Sequence, residues 1–182
     1  MAVGTIQKRT HQVIAILLVA GGVWACVLLA KLAGVLREQW PIAVASGETV
    51  VVYVNGAILL GFAALVAASV VGGILLWRDH PLGRPLSIIV LAAQVVFLAV
   101  PHFQYKIALL GFVGFGFTGS RIGFFFETYA QMFLEFEPDD LRAFVVNIPA
   151  LVMLVALLRN APTTAETSRV PSIEAPSARD TG

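Results

Sequence analysis

The sequence predicts a mainly α integral membrane protein: a four-transmembrane-helix bundle with a small extracytoplasmic β-hairpin inserted between its third and fourth helices. Three observations carry that expectation. Of 182 residues, 58% are hydrophobic and only 13% charged, a balance that leaves a soluble domain of this size too little polar surface. The apolar residues gather into long charge-free runs, the sequence form of helices surrounded by lipid. Between the last two runs, residues 102–138 change character to glycines interleaved with phenylalanines, a pattern hostile to a helix interior.

The first run, residues 13–30, follows Lys8 and Arg9 and stops at Lys31; as a helix it covers roughly 27 Å, enough to cross. Residues 1–12 precede it as a cytoplasmic N-terminus. Ala43-Val44-Ala45 resembles a signal cleavage site but lies far past the apolar core, so the run is read as an uncleaved anchor. Residues 33–40 extend it along the interface, with Trp40 at the headgroup level. The second run, 50–77, exceeds what the hydrocarbon needs and has to tilt or begin outside it. In it Ala64, Ala68 and Gly72 share a face by their four-residue spacing, and Gly21 with Ala25 offer a matching face on the first helix, which predicts close packing of this pair.

A polar hinge at residues 78–84 reverses the chain, and Pro85 suits the first turn of a third helix. That span is expected over 85–101, and the last over 143–158, closed by Arg159 and capped by Asp139 or Asp140. Lys8, Arg9, Arg78, Arg84 and Arg159 fall at the ends on one side, against Lys31, Arg37, Lys106, Arg121 and Arg142 on the other. The first set lies in the short segments where the positive-inside bias acts, so both termini are expected in the cytoplasm of a multi-pass inner-membrane protein. Residues 13–159 make one membrane domain. Residues 160–182 are rich in Pro, Ser, Thr and Ala and lack aromatics, the composition of a disordered tail.

Within the insert, period two fits residues 124–136. Phe124, Phe126, Thr128, Ala130, Met132, Leu134 and Phe136 alternate with Phe125, Glu127, Tyr129, Gln131, Phe133 and Glu135, giving one apolar and one mixed face. With Thr118-Gly119-Ser120 as a turn, residues 105–117 become the partner arm of a hairpin set on the outer membrane surface. Two alternatives stand beside it. Glu127, Gln131 and Glu135 are also spaced for one face of an amphipathic helix, and residues 107–126 could form a re-entrant or fifth span, at the cost of burying Arg121.

Chemical motifs are sparse. The spacing Gly114-x-Gly116-x-x-Gly119 matches a dinucleotide-binding turn, yet the insert has no room for the βαβ unit that turn requires. Glu135, Glu137, Asp139 and Asp140 lack the alternating ligands of a calcium loop. Cys26 is the single cysteine, and His11, His80 and His102 are far apart, so neither a metal site nor a cofactor is expected. A net charge of +1 offers no field for nucleic acid. Inside the spans the polar residues are the amides Asn55, Gln94 and Asn147. Pro149 is expected to free the carbonyl of Val145, with Asn147 turned into the bundle to bond Gln94 or Asn55. A recognition surface is expected on the mixed face, at Arg121, Glu127, Tyr129 and Gln131.

These features point to a non-enzymatic binding, assembly or accessory component, with the bilayer and a membrane-protein partner or second copy as its contacts. One alternative is a small enzyme acting on a lipid or quinone through His102, Arg121 and Glu127; another is an oligomeric channel or carrier.

Overall fold

The first apolar run continues as helix well past Lys31. In a computed structural model describing residues 2–47, 49–101, 103–109, 112–119, 121–127, 131–136 and 142–159, helix α1 spans Ala2–Ser46 and passes through Pro41. It ends at Gly47, whose φ of +80° suits the left-handed residue that stops a helix. Helix α2, Thr49–Trp77, returns alongside it. Both are long and apolar enough to cross a membrane, and in the most apolar stretch of each only 33% and 28% of the residues are buried. The core helix of a soluble protein is covered on most of its surface; these are not.

The two helices pack closely, with Gly21 and Ala25 of the expected face buried on α1, but on α2 through positions beside the expected ones. Ser69 Oγ donates to the carbonyl of Leu18 at 2.8 Å, and Ala25 is fully buried. A Cβ on Gly22 would lie 2.6 Å from Val70 Cγ2, and one on Gly73 2.9 Å from the carbonyl of Ala15. Gly72 instead faces the next helix, at Leu86 and Ser87, and Ala64 is exposed. A four-residue spacing identifies a smooth face without saying which neighbour it meets.

The hinge closes α2 with His80 N donating to Leu75 O at 2.9 Å and Asp79 in the left-handed region at φ 54°, a conformation aspartate tolerates better than most residues. Helix α3 then runs only from Gly83 to Val95, 13 residues or about 20 Å. At that point the chain becomes strand β1, Val96–Val100. The other end of the domain mirrors this: strand β6, Ala143–Asn147, passes directly into helix α4, Ile148–Arg159. The expected helical spans 85–101 and 143–158 are therefore each part helix and part strand. Valine and phenylalanine crowd both strand portions, and such residues favour a pleated surface. An unbroken apolar run carries no periodicity that would reveal the switch. Since α4 starts at Ile148, Pro149 sits in its first turn, where no backbone donor is needed. Val145 lies in a strand ladder, so the proline leaves no polar defect there, contrary to expectation.

The insert is strand, as expected, and belongs to a six-stranded antiparallel sheet with order β4-β3-β6-β1-β2-β5. Its new members are β2 (Phe103–Ala108), β3 (Phe112–Thr118), β4 (Arg121–Glu127) and β5 (Gln131–Phe136). The turn falls where expected, with Thr118 paired to Arg121 and Gly119 at φ 59°. Pairing runs back to Phe112↔Glu127 and resumes in the same register from Ala108↔Gln131 to Phe103↔Phe136. One long hairpin thus bends midway. Its inner arm wraps the β1/β6 ribbon, β2 pairing with β1 and β3 with β6. Strand geometry at both Glu127 and Gln131 removes the amphipathic-helix alternative, and with it a helical fifth span.

One face of the sheet is apolar and exposed, and the other encloses a small apolar cluster around one buried charge. Phe115, Phe117, Ile122, Phe124, Phe126 and Phe144 lie on one face and are all exposed. The opposite face holds the buried Ala108, Phe112, Val145 and Lys106. Glycine permits the tight curl around that face: a Cβ on Gly116 would strike the backbone of Phe144 and Val145, a collision with main chain that no side-chain adjustment relieves.

Candidate functional site

The buried polar groups converge where the helices meet the concave face of the sheet. Lys106, on β2, forms an ion pair with Glu127, on β4. Three strands separate these two in the sheet order, about 19 Å if the sheet were flat, so the ion pair records how far the wings have curled together. Lys106 Nζ also sits 5.3 Å from the centre of the Phe97 ring and 5.0 Å from that of Phe112, over electron-rich faces that favour a cation. A desolvated ammonium is costly unless compensated; here a carboxylate and two rings do so.

Gln94 joins the helices to this layer. Its Nε2 donates to Val90 O at 3.1 Å, and its Oε1 accepts from the backbone N–H of Leu109 at 3.0 Å. Tyr105 Oη donates to Ala93 O at 2.5 Å, a second link across the same junction. Asn147 ends β6 and is 2% exposed, yet its Oδ1 accepts no hydrogen bond among the described residues. Asn55 is exposed on α2. The three amides thus have separate roles. Gln94 is satisfied by backbone, Asn147 faces the interior as expected without a bond to Gln94 or Asn55, and Asn55 faces away.

Of the expected recognition residues, Arg121 is exposed at the hairpin tip, and Glu127 is turned into the concave face rather than outward. They occupy opposite ends of β4, roughly 20 Å apart along a strand, which separates them as catalytic partners. Gln131 begins β5 opposite Ala108. Tyr129 and His102 lie outside the described residues. Neither a family model, nor a curated protein, nor a solved structure matches this chain. Site residues and their chemistry therefore rest on geometry.

A second polar cluster lies at the opposite end of the helices. His11, Asp79, His80 and Arg84 line a cleft of about 500 Å³ with Leu76, Pro81, Pro85 and Ile88. Two of its four polar side chains are committed to structure. Arg84 donates through Nε and Nη2 to Leu157 O at 3.1 and 2.7 Å, satisfying a carbonyl at the C-terminus of α4, and His80 Nδ1 accepts from Leu82 N at 3.2 Å. His11 Nε2 is buried and unpartnered. Among the described residues no group of three His, Cys, Asp or Glu side chains is placed to hold a metal ion. The hinge half of this cleft was visible in the sequence, as Asp79, His80 and Arg84 within seven residues. The contribution of His11 was not, because it depends on α1 packing beside the hinge.

Proposed function

We propose that this chain is a multi-pass inner-membrane protein with both termini in the cytoplasm, serving as a non-enzymatic binding or assembly component. The observation that carries the reading is the polarity of the sheet. A soluble sheet turns its charges to water and its aromatics to a core. This one buries Lys106 and exposes Ile122, Phe124 and Phe126 at 78, 75 and 71%, the arrangement suited to an apolar solvent.

Lengths support a bilayer crossing by composite segments. Helix α3 with β1, and β6 with α4, each reach about 35 Å when helical and strand rises are added, compared with a hydrocarbon core of about 30 Å. Lys106 and Glu127, the charges at mid-sheet, are already paired with each other, and Arg121 stands at the far tip. Among the described residues no nucleophile, acid and base come together there, which favours binding over catalysis. Purifying the protein from membranes and identifying what accompanies it by mass spectrometry tests the role. A stoichiometric protein, or this chain in multiple copies, is the expected result; a retained quinone or lipid that the preparation chemically converts would overturn it.

A further inference from the structure

We infer that β4 is the contact through which two copies of this chain associate, edge to edge and antiparallel about a two-fold axis at Phe124. Strand β4 lies at one end of the sheet order and among the described residues has β3 as its only neighbour, so half of its backbone donors and acceptors point outward. Arg-Ile-Gly-Phe-Phe-Phe-Glu contains no proline, lysine or bulge, pairs regularly along all seven residues, and carries charge at its two ends alone, so its apolar middle is left open. Among the described residues its outward face is the most exposed apolar surface of the sheet, at Ile122, Phe124 and Phe126. In an apolar surrounding an open edge is costlier still, because nothing there bonds the orphaned amides.

A second copy fits this edge for a reason contained in the strand itself. Antiparallel pairing of β4 with its own symmetry mate keeps the apolar faces continuous only when residues of like parity stand opposite each other. Among those registers, the one using all seven residues sets Phe124 against the partner's Phe124, Ile122 against the partner's Phe126, and Arg121 against the partner's Glu127. Directly opposed charges of opposite sign stabilise a pair of strands, and the two-fold axis makes the contact twice. Both groups are available for it. Arg121 is exposed and its side chain makes no ion pair or hydrogen bond among the described residues, and Glu127 gives only Oε2 to Lys106. The product is a sheet shared by two molecules, apolar over one face.

Disulfide cross-linking in native membranes tests this, with single cysteines in a Cys26→Ser protein. Phe124→Cys lies on the axis and should give a covalent dimer. Ile122→Cys and Phe126→Cys should each cross-link poorly alone, since each sits roughly 14 Å along the strand from its own copy, and efficiently when the two proteins are co-expressed. Val152→Cys, exposed on α4, reports random collision. Cross-linking at residue 124 no greater than at 152, or equal at all positions, overturns the proposal. Arg121→Glu, at an exposed tip residue, should leave the monomer folded and weaken dimerisation about tenfold by opposing like charges twice. An unchanged dimer overturns the register. Localisation is read separately in the same fractions, so loss of the cross-link in membrane-inserted protein counts against the dimer alone.

Discussion

Three amides that look alike in sequence meet different fates, and the difference has measurable consequences. Gln94 is buried and satisfies the Leu109 N–H, so Gln94→Leu leaves a buried donor without a partner and should cost about 2 kcal/mol. Asn55 is exposed and its side chain holds no bond among the described residues, and Asn55→Leu should leave stability within about 0.5 kcal/mol. Denaturant titration in detergent micelles checks both, and equal effects would contradict the placement. Both residues lie in charge-free apolar runs, so the sequence showed that they were polar residues among apolar ones. Which backbone group each would meet depended on the route of the insert, which local spacing does not carry.

Among the elements, the hairpin was the most legible. Alternation over 124–136 and the turn at 118–120 identified its arms, because period two is a local property of a pleated strand. Its bend, and the wrapping of its inner arm around β1 and β6, were not legible, since registers between distant strands leave no trace in either strand alone. The mixed face was expected to form a recognition surface, and the partner that Glu127 meets there, Lys106 on β2, was not legible for the same reason. That contact is testable. Lys106→Met strands a partly buried carboxylate and should destabilise the protein by about 2–3 kcal/mol, whereas Lys106→Met combined with Glu127→Gln should recover more than half of the loss. A double variant as unstable as the single one would show that the ion pair is not what holds the wings together.

For the whole molecule, the proposed membrane location rests on the long apolar runs and the proposed orientation on the basic residues at their ends. A reporter fused after Asn160 should be active when it requires the cytoplasm and silent when it requires the periplasm; the reverse pattern would invert the proposed topology. Alkaline carbonate should leave the chain in the membrane pellet, as expected of α1 and α2, whose apolar surface stays largely uncovered within the fold.

By itself, then, the sequence determined two long apolar helices, a hinge at residues 78–84 and an antiparallel hairpin with its turn at Gly119, because each of these is set by composition or by the period of a short segment. Only the tertiary structure decided that the third apolar run changes from helix to strand at Val96 and the fourth from strand to helix at Ile148. Uniformly apolar segments satisfy either geometry. The choice was made by the ladder partners each strand found, Phe144 for Leu98 and Gly114 for Asn147, in chain many residues away.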